Sequence, residues 1–243
     1  KPIVYNVCNY SKPAPGKPCL LTLDNARTIF HEFGHGLHGM LTRARFPSLA
    51  GTGVYRDFVE LPSQLFEHWL TEPVVMKEHL RHVETGQPIP DALIDKIKKA
   101  EKFDSGFEQV RYLSSTIMDL ELHQKTDVAG LDIAKAEREI LARYGMPDAG
   151  QMMHRPMHHG HLFGSPYYAS GYYVYGWAAV LDHDAFAAFE EKGNPFDKAT
   201  AAKLREHIYS AGNTEDPAVL YEKFRGRGPD RTALLRNKGF IAA

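Results

Sequence analysis

Residues 30–40 read FHEFGHGLHGM. His31 and His35 stand four apart, Glu32 follows the first of them, and His38 comes three residues after the second. Residues four apart on an α-helix share a face, about 6 Å apart along the axis, so both imidazoles can reach one zinc ion. Glu32 lies off that line and can face a metal-bound water as its base. The surrounding pattern supports a helix. Ala26, Ile29, Phe30, Phe33, Leu37 and Met40 recur at spacings of three and four, and Thr22 or Asp24 can cap a helix over about 25–41. Ile29, Phe30 and Phe33 are expected to seat this helix in a core. His38 points broadly toward the ligand face, as a packed histidine or as one that braces a ligand.

A catalytic zinc keeps three protein ligands and one open position, so a third ligand must come from elsewhere. The acids that follow are Asp57, Glu60 and Glu67, in RDFVELPSQLFE. Glu60 and Glu67 are seven apart and fall on roughly one helical face. One can ligate while the other holds a ligand's second nitrogen. Spacing alone favours Glu60 only slightly and leaves Asp57 and Glu67 open.

The 243 residues carry 29 basic and 30 acidic side chains, and 13 histidines. That balance gives no reason to expect a nucleic-acid or anionic-membrane surface. No apolar run approaches a membrane span, and the first residues do not read as a signal peptide. Cys8 and Cys19 fit neither a paired-cysteine metal site nor a disulfide framework, so free thiols in the cytoplasm are expected. The chain opens on a strand-like VYNV with no initiator methionine, which reads as chain interior.

Residues 3–10 predict a short strand, ended by the turn SKPAPGK at 11–17. Helical patterns follow at about 59–70, 73–82, 91–124 with a break near Ser105–Gly106, 131–144, 169–189, 200–210 and 217–224. Residues 145–161, GMPDAGQMMHRPMHHGH, show no periodicity and read as a loop. Arg155 and the cluster His154, His158 and His159 are expected to be a solvated polar loop, or else to attract a peptide carboxylate. Then comes HLFGSPYYASGYYVYGW at 161–177, a glycine- and tyrosine-rich loop leading into a helix. Its tyrosines offer neutral donors suited to an oxyanion, or alternatively pack through their rings. Gly160, Gly164 and Gly171 permit hinging.

FHEFGHGLHGML at 30–41, GTGVYRDFVELPSQLFEHW at 51–69, YNVCNYSKP at 5–13 and ALLRNKGF at 233–240 together resemble the thimet-oligopeptidase-like family of zinc metallopeptidases. RDFVELPSQLFEHW is most similar to its dipeptidyl-carboxypeptidase branch. The resemblance implies a mainly α, zincin-like catalytic lobe of a two-lobed channel metallopeptidase, with little β structure near the N-terminus. Residues 1–243 would form its C-terminal catalytic domain, with the N-terminal part of the family fold absent or supplied by a second chain. It implies His31, His35 and Glu60 as ligands of one zinc per chain, Glu32 as general base, and short peptides as substrates. His161, Tyr168 and Tyr175 would contact substrate and steady the tetrahedral intermediate, with Tyr172 lining the site. Many members have paired glycines where this chain has Ser165–Pro166. The expected activity is release of C-terminal dipeptides, with internal cleavage by an oligopeptidase, or a non-catalytic zinc-stabilised partner domain, as alternatives.

Overall fold

The computed structural model describes residues 2–147 and 150–242. Asp148 and Ala149, part of the 145–161 loop, lie outside them. The helices in chain order are α1 (Leu23–Met40), α2 (Arg56–Val59), α3 (Leu61–Glu67), α4 (Pro73–His79), α5 (Asp91–Ala100), α6 (Ser105–His123), α7 (Ile133–Arg143), α8 (Gly160–Phe163), α9 (Val174–Glu190), α10 (Lys198–Leu204), α11 (Pro217–Arg225) and α12 (Thr232–Asn237). Among the described residues no strand forms; the isolated bridge between Arg81 and Pro88 is the β pairing present. The strand expected at 3–10 is therefore absent. An extended segment becomes a strand only when a neighbour completes its ladder. Here residues 2–22 hold no regular element apart from a turn at 14–17.

The chain divides into two compact units, residues 1–103 with 178–243, and residues 104–177. In the first, α1 starts where Thr22 accepts a hydrogen bond from Asn25 N while Asn25 answers to Thr22 N, a reciprocal cap. Its packing face differs from the expected one. Ile29 and Phe33 are 40% and 43% exposed, whereas Gly34, Gly36 and His38 are buried. Gly34 is decisive. A Cβ built there would sit 2.5 Å from Pro62 O and 2.6 Å from Ser63 Cα, both backbone atoms of α3. The missing side chain lets α1 and α3 touch backbone to backbone.

Beneath α3 lies an apolar core of Phe58, Leu61 and Leu65 with Leu181, Phe186 and Phe189 of α9, extended by Ile208, Tyr221 and Phe224. Trp69 meets Phe186 and Phe189 edge to face and donates to Pro195 O at 2.8 Å. Buried Asp184 of α9 accepts from Tyr221 (2.7 Å), Arg225 (3.2 Å) and Arg227 (2.6 Å), which ties α11 and the segment after it to α9.

Asp182, also buried, accepts from His68 Nε2 at 2.7 Å and His183 Nδ1 at 2.5 Å. Burial alone would raise the Asp182 carboxyl, but its two histidine partners outweigh burial and hold it below the usual range. Burial likewise opposes charge on His183, and the Asp182 carboxylate overrides it and raises the imidazole.

The second unit packs α6 against α7 through Met118, Leu122, Ala136, Ile140 and Leu141, with Met152 from the following loop. Asp132 caps α7 by accepting from Lys135 N. The break before α6 is Asp104, at φ +56°. Further elements differ from the sequence reading, among them α8, which forms within stretches read as loop. The helix expected from 169 begins only at Val174, and α12 was not foreseen.

Two measurements follow from this packing. Gly34→Ala forces a methyl group into backbone, so the variant is expected to lose about 1–3 kcal/mol of stability. An unchanged thermal midpoint would mean that α1 and α3 do not approach this closely. The Asp182 contribution to stability is present above the unfolded carboxylate value of about 3.9 and is lost as pH falls. The His183 contribution is present below the unfolded imidazole value of about 6.5 and is lost as pH rises through its raised folded value. Denaturant unfolding across pH should therefore find the gap between wild type and Asp182→Asn widest between about pH 4 and 6.5. A gap that does not change with pH would rule out the charged pair.

Candidate metal centre

Helix α1 presents His31 and His35 one turn apart, with rings 5.0 Å apart at 86°. Glu60 stands at the junction of α2 and α3, where the chain leaves one helix and starts the next. Its Oε2 lies 3.3 Å from His31 Nε2 and 3.2 Å from His35 Nε2. Ligands bonded to zinc at about 2.0–2.1 Å in a tetrahedron lie about 3.3–3.4 Å from one another. The two separations from Glu60 thus lie close to the edge length of a zinc tetrahedron, and are wider than the 2.7–2.9 Å typical of a charge-assisted hydrogen bond.

One other His/Asp group, His68, Asp182 and His183, has ligand atoms within 4.8 Å of one another among the described residues. Its separations of 2.7 and 2.5 Å are hydrogen-bond lengths. His183 Nδ1 also lies 2.8 Å from Ala179 O, so this nitrogen, facing two oxygen acceptors, carries a proton. That geometry describes an ion-paired core cluster. The first group alone has the spacing of a metal site.

The carboxylates around His31 divide their work. Glu67 Oε1 takes the His31 Nδ1 proton at 2.7 Å, which fixes the tautomer and leaves Nε2 to face Glu60. Arg27 Nε lies 4.0 Å from Glu67 Oε2, one helical turn before His31. Ser63 Oγ lies 3.0 Å from Glu60 Oε2 and aims that carboxylate. Without a cation, burial disfavours charge on His31, but hydrogen bonds to Glu60 and Glu67 outweigh it and push His31 up to about 10. Burial would raise Glu60, and the two histidines pull it well below the carboxylate range. A metal entering here displaces that proton.

Glu32 follows His31 on α1 and is partly exposed. His38 is fully buried; neither ring nitrogen has a hydrogen-bond partner among the described residues, and burial, then the charge of His35, lower it to about 4. Asp57 belongs to α2 and is outside the ligand group. Ser63 and Arg27 escaped the sequence reading. The signal for each was helical spacing, three after Glu60 and four before His31.

In the second unit, His161, Tyr168 and Tyr175 converge. Tyr175 Oη lies 3.1 Å from both Tyr168 Oη and His161 Nε2. Tyr172 lies beside them, its ring 5.9 Å from that of His161, and burial, then Tyr112 and Tyr168, raise its pKa and keep its proton in place. Ser165–Pro166 builds a short 3₁₀ turn, Pro166–Tyr168, in which Ser165 Oγ accepts from Tyr167 N. A cavity of about 300 Å³ is lined by His154, His158, His159, His161 and Tyr172. Arg155 pairs with Glu137 at 3.0 Å. No described helix is long and apolar enough to cross a membrane.

This chain is similar to known proteins along nearly its whole length. It is 40% identical over 240 residues to the dipeptidyl carboxypeptidase of Escherichia coli K12, covering 98% of this chain and 35% of that one. It is 39% identical over 244 residues to oligopeptidase A of the same organism, with the same coverage of each. A thimet-like oligopeptidase from Dictyostelium discoideum is 29% identical over 240 residues, again with 98% and 35% covered. The chain thus spans about a third of the length of these relatives. Residues 1–240 match the model of Peptidase family M3, and the chain belongs to that family.

Proposed function

We propose that this chain is the zinc-binding catalytic part of an oligopeptidase that hydrolyses peptide bonds in short peptides. The observation that carries the reading is the meeting of His31 and His35 at one oxygen of Glu60, each at 3.2–3.3 Å, with Glu32 next to the first histidine. One zinc ion per chain, when bound there, would polarise a carbonyl and acidify a water. Glu32 takes the proton of the attacking water and returns it to the leaving amine. Glu67 keeps His31 in the tautomer that offers Nε2, and Ser63 holds Glu60 in line. Tyr168 and Tyr175, with His161, are assigned as donors to the carbonyl oxygen as it gains charge, on the strength of the family resemblance and their mutual hydrogen bonds.

Release of C-terminal dipeptides is the second reading, favoured by the RDFVELPSQLFEHW block and the likeness to a dipeptidyl carboxypeptidase. Relatives named as oligopeptidases are similar to the same degree and more varied in source, which favours internal cleavage. The family resemblance further assigns this chain to the catalytic lobe of a two-lobed channel peptidase of the cytoplasm, and the relatives it matches are about three times its length.

Glu32→Gln separates the roles. Elemental analysis should find about one zinc per chain in both proteins, while turnover of a quenched peptide falls about 10²–10⁴-fold in the variant. Preserved turnover would remove Glu32 from the mechanism. Absence of zinc in the wild type after reconstitution would remove His31, His35 and Glu60 as ligands. Mass spectrometry of the products from one peptide, as free acid and as C-terminal amide, distinguishes the two cleavage modes. Internal cuts in both forms support the oligopeptidase, and dipeptides from the free acid alone support the second reading.

A further inference from the structure

The tyrosine-bearing stretch 170–176 is held from beneath by two side chains of α6. Asp119 is fully buried. Its Oδ1 accepts from Ser170 N at 2.9 Å, and its Oδ2 accepts from Tyr172 N at 2.8 Å. His123, one turn on, brings its Nδ1 to 2.7 Å from Oδ1. One carboxylate therefore gathers the amides of Ser170 and Tyr172 and stands beside an imidazole that also bonds the Asp119 backbone O at 2.9 Å. The amides it takes bracket Gly171, and Ser170 is bent into the left-handed region at φ +55°, where a non-glycine residue needs outside support. Two turns earlier on the same face of α6, Tyr112 Oη donates to Tyr172 O at 3.0 Å and accepts from Gly176 N at 2.6 Å. Tyr112 approaches so closely that a Cβ on Gly176 would lie 2.9 Å from its ring. The periodicity of 169–189 would carry a helix back to Ala169, yet α9 starts at Val174, past the stretch whose amides Asp119 has captured.

We propose that Asp119 is a positioning residue for the reaction: it sets the backbone at Ser170–Tyr172, and thereby the side chains of Tyr172 and Tyr175. The proposal rests on the reading that these tyrosines contact substrate. Asp119 itself, fully buried, engaged by two backbone N–H groups and paired with His123, touches no substrate. Its carboxylate is used rather than an amide because all of its partners are donors. An asparagine would offer one oxygen and turn an NH₂ toward a backbone N–H. Tyr112 is the second anchor, and it shares the task without sharing the charge.

The test uses Asp119→Asn, and Tyr112→Phe as a second variant that keeps the ring packing should the first fail to fold. Native-state hydrogen exchange is read at the Ser170 and Tyr172 amides, beside kcat and KM for a quenched peptide. Losing charge-assisted bonds at this site is expected to speed exchange of both amides by about tenfold or more and to lower kcat about tenfold, with KM changed less. Tyr112→Phe should speed exchange at Gly176 and lower kcat in the same sense. In a Tyr175→Phe background the Asp119→Asn loss in kcat should shrink, because the group being positioned is gone. Unchanged exchange at Ser170 and Tyr172 overturns the tether. Faster exchange with kcat intact, while Tyr175→Phe alone is impaired, overturns the positioning role. If Tyr168→Phe and Tyr175→Phe are both fully active, the tyrosine assignment fails and the positioning role fails with it, although the exchange result still reports the tether.

Discussion

The candidate metal centre depends on a contact made by an atom that is not there. Gly34 lies between His31 and His35 of α1 and places bare backbone against Pro62 and Ser63. That contact brings Glu60, two residues before Pro62, within 3.2–3.3 Å of both imidazoles. Ser63, pressed against Gly34, is the residue whose hydroxyl aims Glu60. Packing and ligand geometry are therefore one constraint. A side chain at position 34 would move α3 and with it Glu60, which immediately precedes that helix, and no adjustment of rotamers could absorb it, because both colliding atoms belong to backbone.

The two histidine–carboxylate groups of the first unit show how distance assigns chemistry. Both bring imidazole nitrogens and a buried carboxylate together, and composition alone would not separate them. Around Asp182 the nitrogens close to hydrogen-bond length, and a second acceptor, Ala179 O, holds the proton on His183 Nδ1. Around Glu60 the nitrogens stay at tetrahedral edge length, while His31 turns its other nitrogen to Glu67 at 2.7 Å. His31 thus bonds Glu67 through the nitrogen on the far side of the ring and leaves Nε2 toward Glu60, where a metal would replace the proton. The first arrangement stabilises a core, and the second brings two imidazole nitrogens and a carboxylate oxygen together at a spacing a metal can bridge once it displaces the proton.

What the sequence revealed follows the range of the interactions involved. The helix carrying HEFGH and its Thr22 cap were legible because spacing and capping are local. Glu60 and Glu67 were legible as a pair on one face, but their division into candidate ligand and brace depends on which nitrogens of α1 each one meets, contacts across 25 residues or more. The strand at 3–10 was misjudged because alternation specifies a face and not a partner, and none of the described residues pairs with it. The packing face of α1 was misjudged for a related reason. Hydrophobicity pointed to Ile29 and Phe33, while closeness of approach selected Gly34.

The late start of α9 joins these lines of reasoning. Residues 169–173 have helical spacing, so local preference predicts helix there. Asp119 lies about 50 residues earlier and offers two carboxylate oxygens to amides that a helix would have left unsatisfied in its first turn. It takes them in a geometry that keeps Ser170 left-handed, and the helix begins only beyond that point. Tyr172 is thereby held outside the helical repeat, while Tyr175 sits within the first turn of α9 and reaches Tyr168 and His161. A continuous helix would fix Tyr168, Tyr172 and Tyr175 at successive steps of one surface stripe. Interrupting it lets Tyr168 enter from a separate 3₁₀ turn and meet Tyr175 at hydrogen-bond distance. The convergence of phenols in this stretch is thus a product of the interruption, and the interruption is a product of one buried carboxylate.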